Sequence, residues 1–382
     1  LHGVRVEDPY RWLEDEKSPE VRAWMDAQDA FTRAQLAQLP GRDAIAARLR
    51  ELYYIDSVGI PYHYGSRYFY SRRHADREKG IVYWKEGKTG AEKVLLDPNT
   101  WSTDGSQSLG NWAVSWDGKH VAFTIKKNNS DEATLYVLDV ATGKRSEVDV
   151  IEGAKYAHAQ WNPRGDGFYY AYLPTDKAIP VADRPGYTEI RYHRLGEDPK
   201  LDRLVRANTG DPKTFLNVEL GKDGRYLFIQ VLHGWNAADV FYRDLQDPKG
   251  KDTWTPLTTG QDALYHVTAF RDRFYVHTNE GASRYRVFDV DPKKPARAGW
   301  SEIVPEAKDA TLEGLSIVGG KLSLLYMKDV INRLELRGLD GKNAREIRLP
   351  GPGASSGLIG QPDEDEAHLV YTSLTTPNEI YE

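Results

Sequence analysis

One group of residues in this chain has the types and order needed for covalent catalysis. Gly353-Ala354-Ser355-Ser356-Gly357 matches G-x-S-x-G, and Asp363 and His368 follow in the order serine, aspartate, histidine. In such a set a sharp turn lifts the serine hydroxyl out of a sheet, an imidazole takes its proton and a carboxylate orients the imidazole, so that an acyl group can be transferred. The surroundings argue against it here. A nucleophile elbow needs a buried strand before the serine and a helix after it, whereas Pro350-Gly351-Pro352 precedes Ser355 and a strand-like run with an acidic turn follows. The three residues also crowd into one short stretch, where true partners come from loops far apart in sequence. The expectation is a turn, with no catalytic residue in the chain.

Other chemistries fare similarly. The 10 histidines are scattered without H-x-H or H-E-x-x-H spacing, and with no cysteine there is no thiolate ligand, no disulfide and no cysteine nucleophile. Asp363-Glu364-Asp365-Glu366 reads as a solvated turn, because a calcium loop spaces its ligands and needs a glycine at its bend. No glycine-rich phosphate loop is present. No metal and no cofactor are therefore expected. A net charge of −6 argues against a nucleic-acid partner, and no apolar run of about 18 residues suggests a membrane span. Lack of cysteine suits a reducing compartment, so a cytoplasmic location is expected.

The elements that would carry any site are mostly strands. With 10 Trp, 23 Tyr and 10 Phe, the chain is rich in residues suited to wide, half-buried β surfaces. Polar turns hand over repeatedly to aromatic and β-branched runs: Trp116-Asp117-Gly118 precedes Val121-Ala122-Phe123, and Lys222-Asp223-Gly224 precedes Tyr226-Leu227-Phe228. Asp117, Asp166, Asp223 and Asp272 mark spacings of 49, 57 and 49 residues, in the range of propeller blades. Strands are expected over Arg67 to Ser71, Ile81 to Trp84 and Lys93 to Leu96. Four more follow at Asn111 to Ser115, His120 to Lys126, Thr134 to Val140 and Arg145 to Val150. Further units begin near Tyr156, Phe215, Leu264, Leu312 and Leu358, which makes seven of about 47 residues each. Pro174 to Tyr187 reads as a surface loop in the third, and the seventh stops before its outer strand. Only the start differs. Ser18 and Pro19 open a helix bearing Val21, Trp24, Met25, Phe31, Leu36 and Leu39, and Asp43 is placed to cap a second with Ile45, Leu49 and Leu52.

One string is specific enough to suggest kinship. Asp8-Pro9-Tyr10-Arg11-Trp12-Leu13-Glu14-Asp15 resembles the N-terminal signature of the prolyl oligopeptidase family of serine peptidases, of the bacterial type. Glu51-Leu52-Tyr53, Arg67-Tyr68-Phe69-Tyr70, Leu95-Leu96-Asp97-Pro98-Asn99, Ser115-Trp116-Asp117-Gly118, and Thr372-Ser373 with Pro377 follow in family order. The resemblance implies a mainly β fold. A helical segment, residues 1–56, would belong to an α/β-hydrolase domain, and a seven-bladed β-propeller would span residues 57–382 with its last blade incomplete. Both ends read as cut, and the hydrolase domain with its serine, aspartate and histidine is expected outside the sequence given. The propeller would act as gate and size filter for short proline-containing peptides, in a monomer. By local matching, Tyr156, Phe215 and Trp235 resemble substrate-facing positions of such propellers. A free-standing propeller scaffold for protein interactions is the rival reading. A sister family that cleaves after basic residues is a weaker one.

Overall fold

The structure, a computed structural model, describes residues 2–176, 178–248 and 253–382. The chain divides into two compact units: one runs to Asp56 and takes in His74–Asp76, the other comprises Ser57–Arg73 and Arg77–Glu382.

The first unit is helical. Helix α1 (Pro19–Ala37) starts where expected, with the Ser18 hydroxyl accepting the Val21 N–H at 3.1 Å and Pro19 at its first position. Helix α2 (Arg42–Tyr53) begins two residues earlier than the sequence suggests: Gly41, at φ +82°, occupies the cap position, and Asp43 lies in the first turn instead of capping it. Its charge there still suits the helix dipole. Val21 is the one buried residue of the two helices, while Phe31, Leu39, Ile45, Leu49, Leu52 and Tyr53 are each more than half exposed.

The second unit is a seven-bladed β-propeller of antiparallel sheets. Blade 2 shows the plan: Gln107–Val114, His120–Lys127, Ala133–Asp139 and Arg145–Ile151 pair in sequence order from the axis outwards. Its first strand starts earlier than expected because a bulge between Leu109 and Trp112 breaks the alternation. Blades 3 to 6 repeat the plan from first strands Gln160–Trp161, Thr214–Leu220, Tyr265–Phe270 and Thr311–Val318. In blades 1 to 5 the third strand shifts register against the fourth, which adds twist at the rim. In blade 1 two short strands in line, Ser57–Val58 and Tyr62–Tyr64, share the innermost position against Arg67–Arg73. Blade 7 mirrors this: Ala354–Ser355 and Ile359–Gly360 both pair with Ala367–Thr372, whose other edge takes Glu379–Tyr381. No fourth strand of blade 7 occurs among the described residues.

Two features hold neighbouring blades together. Apolar clusters fill the spaces between successive blades from the first to the seventh, for example Tyr226, Phe228 and Tyr242 against Phe274. Polar stitches add direction: Trp116 Nε1 donates to the Trp161 carbonyl and Trp161 Nε1 to the Ala113 carbonyl, each at 3.1 Å. Between blades 2 and 3, His193 is fully buried with its two ring nitrogens 2.8 Å from Asp149 and Asp202.

The seam between blades 7 and 1 is different. On blade 1 the buried cluster Tyr70, Ile81 and Tyr83 includes no residue of blade 7, and among the described residues no strand pairs across. The contacts are polar. His63 Nδ1 lies 2.6 Å from Glu364, Gln361 donates to the His63 carbonyl at 2.8 Å, and Tyr68 donates to Glu366 at 3.0 Å.

Candidate functional site: one end of the propeller channel

Because strands alternate in direction, turns after first and third strands open on one end of the ring, and connections after second and fourth strands on the other. Tyr156 precedes the first strand of blade 3, Phe215 is near the start of the first strand of blade 4, and Trp235 sits in the turn after its second strand. All three therefore belong to the same end. The structure brings two of them together: the rings of Tyr156 and Phe215 meet edge to face at 6.0 Å and 85°, both half-buried, with Tyr156 packed against the apolar core between blades 3 and 4. Lys155 Nζ stands 5.5 Å from the Tyr156 ring. Trp235 has no ring partner among the described residues and is 91% exposed beyond Gly234, whose φ of +63° makes the turn. The pair offers an apolar wall, and Trp235 a free aromatic face at its rim.

Along the first strand of blade 4, Phe215, Asn217 and Glu219 alternate with the buried Thr214, Leu216 and Leu220, so they share the more exposed face of that strand. Glu219 is solvent-exposed, yet the protein around it still desolvates its carboxyl and lifts it to about 7. It shares a small cavity of about 160 Å³ with Gln230 and His266. Partial desolvation by neighbouring protein pushes the imidazoles of the exposed His266 and His158 below their usual value, which favours the neutral form. Sequence reasoning missed Glu219 and His266. The available signal was a polar residue at every second position of an inner strand, which only matters once that strand is known to line an axis.

At the opposite end, Lys222 of blade 4 is paired with Asp363 of blade 7, and its Nζ lies 5.6 Å from the Trp116 ring of blade 2. Blades 4 and 7 are not neighbours, so this ion pair crosses the axis.

The serine motif is dispersed among unrelated contacts. Ser355 is in a strand, and its hydroxyl accepts the Gly357 N–H at 3.3 Å. Asp363 is taken by Lys222, and His368 Nε2 faces Glu366 and Glu382. None of these residues is held as an activated nucleophile.

A ring of seven sheets with an aromatic pair at one channel end defines the second unit as a seven-bladed propeller. The chain belongs to the prolyl oligopeptidase family, matching its N-terminal beta-propeller domain over residues 1–382. It is 27% identical over 380 residues to the prolyl endopeptidase of Elizabethkingia meningoseptica, covering 99% of this chain and 53% of that protein. A solved structure from a study of two prolyl endopeptidases, concerned with inter-domain dynamics in catalysis and specificity, superposes with a TM-score of 0.97. It is 56% identical over 100% of this chain and 56% of the other. Prolyl oligopeptidase B of Galerina marginata, solved with a macrocyclization substrate, matches at a TM-score of 0.89 and 21% identity over 99% of this chain and 55% of that one, which supports the fold alone. The chain thus spans about half the length of the relatives it matches.

Proposed function

We propose that this chain is the propeller portion of a prolyl endopeptidase, where it confines and admits short proline-containing peptides for a serine-type hydrolase domain. The observation that carries the reading is the 56% identity along the whole chain to a prolyl endopeptidase of which it covers 56%. The helical unit supports it. Phe31, Leu39, Ile45, Leu49 and Leu52 expose apolar area that a further domain would cover. A monomer in the cytoplasm accords with this reading.

Two tests follow. The 382-residue chain alone is expected to show no turnover of a fluorogenic proline-containing peptide, while the protein extended by a hydrolase domain cleaves it. Turnover by the chain alone, abolished by Ser355→Ala, would overturn the assignment. In the extended enzyme, Phe215→Ala should raise KM several-fold for peptides that reach past the residue at the cleaved bond, by removing half of the edge-to-face pair. For minimal substrates KM should change little. An equal effect on both would remove Phe215 from the binding surface.

A further inference from the structure

At the edge of blade 7 that faces blade 1, three donors converge from two strands. Glu366 and His368 are two positions apart, so they project from one face of the strand Ala367–Thr372 and the residue before it. Leu369 is opposite Tyr381, which sets Glu382 beside His368 on the neighbouring strand. His368 Nε2 lies 3.7 Å from Glu366 Oε1 and 3.9 Å from Glu382 Oε2, and the three donor atoms all fall within 4.8 Å of one another.

Two observations beyond proximity indicate a missing ligand. His368 is only 8% exposed, and its Nε2 approaches the two carboxylates no closer than 3.7 and 3.9 Å, beyond hydrogen-bond distance. Glu366 Oε1 is buried and likewise has no hydrogen-bond partner. A buried carboxylate oxygen left without a donor is costly unless something binds it, and the imidazole beside it offers a second ligand for whatever does. The other oxygens are engaged: Lys88 of blade 1 reaches Glu366 Oε2 at 2.8 Å and Glu382 Oε1 at 2.5 Å, and Tyr68 donates to Glu366 Oε2. The remaining oxygens, Glu366 Oε1 and Glu382 Oε2, are the ones that face His368.

We propose that Glu366, His368 and Glu382 form a binding site for one divalent cation of the zinc class at the seam between the last and first blades. One imidazole with two carboxylates suits a borderline metal such as Zn²⁺ or Co²⁺. Ca²⁺ would require six to eight oxygens in a looser shell. Bonds of about 2.1 Å put tetrahedral ligands about 3.4 Å apart, so the observed separations need only a small closing movement. Three protein ligands leave a fourth position for water. Bound there, the cation ties the strand Glu379–Tyr381 to its neighbour and repels the Lys88 ammonium, so metal and lysine compete for the same carboxylates.

The test is calorimetric titration of the untagged protein with Zn²⁺ in a non-chelating buffer. One saturable site is expected. Glu382→Gln, at an exposed position where folding is not at stake, should weaken it at least tenfold, and His368→Gln should do the same. Lys88→Met should tighten it several-fold by removing the competing charge. Absence of saturable binding into the millimolar range overturns the proposal, as does an affinity that Glu382→Gln leaves within about twofold of the parent. Weaker binding in Lys88→Met would assign the cation to other residues and overturn it too. The inference does not depend on the peptidase reading.

Discussion

His193→Leu is expected to lower the unfolding free energy by about 3–5 kcal/mol, the range for breaking a buried ion pair by removing one partner. His193 is wholly buried between Asp149 and Asp202. Asp149 also accepts the Gly196 N–H at 2.7 Å, and Tyr170 donates to Asp202 at 2.7 Å, so the residues around the imidazole are fixed as well. Burial alone would pull the imidazole towards its neutral form. Hydrogen bonds and charges from the two carboxylates overcome that pull and raise it from 6.5 to about 9. Because the folded value lies above the unfolded one, the resulting stability is complete below about 6.5 and is lost as pH rises through about 9, a span worth about 3 kcal/mol. Asp149 behaves oppositely: burial would raise its carboxyl, but bonds from His193, Ser146 and Gly196 hold it below the ordinary range, so its share is lost on acidification. Urea unfolding at pH 6 and pH 9.5 checks both points. The parent should lose stability between the two, while His193→Leu should be weaker at pH 6 and nearly flat. Equal alkaline loss in both proteins would show that His193 is not the titrating group.

That cluster also shows where sequence reasoning stops. Asp149 and His193 are 44 positions apart and belong to adjacent blades, so nothing local announces their meeting. The repeat itself was legible because it is local. In Trp116-Asp117-Gly118, Asp117 accepts from the Ser115 hydroxyl and the Lys119 N–H, and Gly118 takes φ +70°, a turn written in consecutive residues. The same applies to Asp223 before Gly224, whose φ is +71°. The markers are not equivalent throughout, however. Asp166 follows its glycine, and Asp272 itself has positive φ, so a shared spacing conceals different turns. The innermost strands of blades 1 and 7 were hardest to read, since each is two fragments of two or three residues. Tyr156 and Phe215 were legible as candidates only through family resemblance. Their edge-to-face contact depends on how blades 3 and 4 pack, which spacing within either blade does not encode. Glu366-x-His368 was visible as a string, but a search for paired histidines passes over a glutamate and a histidine whose third donor lies on another strand.

Phe274→Ala should cost a further large amount, about 3–5 kcal/mol, because it empties a fully buried aromatic position with little room to collapse. Phe274 stands edge-on to Tyr226, Phe228 and Tyr242 of the preceding blade at 4.8–5.0 Å, so four rings share one cavity wall. The comparison that gives this meaning is Tyr68→Phe at the seam. That change removes one hydroxyl bond to Glu366 while Lys88 still engages the carboxylate, and it should cost about 1 kcal/mol. If ring opening begins at the polar seam, the weaker variant has the larger local effect there. Amide exchange in Arg67–Arg73 and Ala367–Thr372 should quicken in Tyr68→Phe with little change in global stability. In Phe274→Ala, exchange should quicken in blades 4 and 5 and global stability should fall. Uniform acceleration around the ring in both variants would mean that the seven interfaces open together, and that ring opening does not begin at the seam between blades 7 and 1.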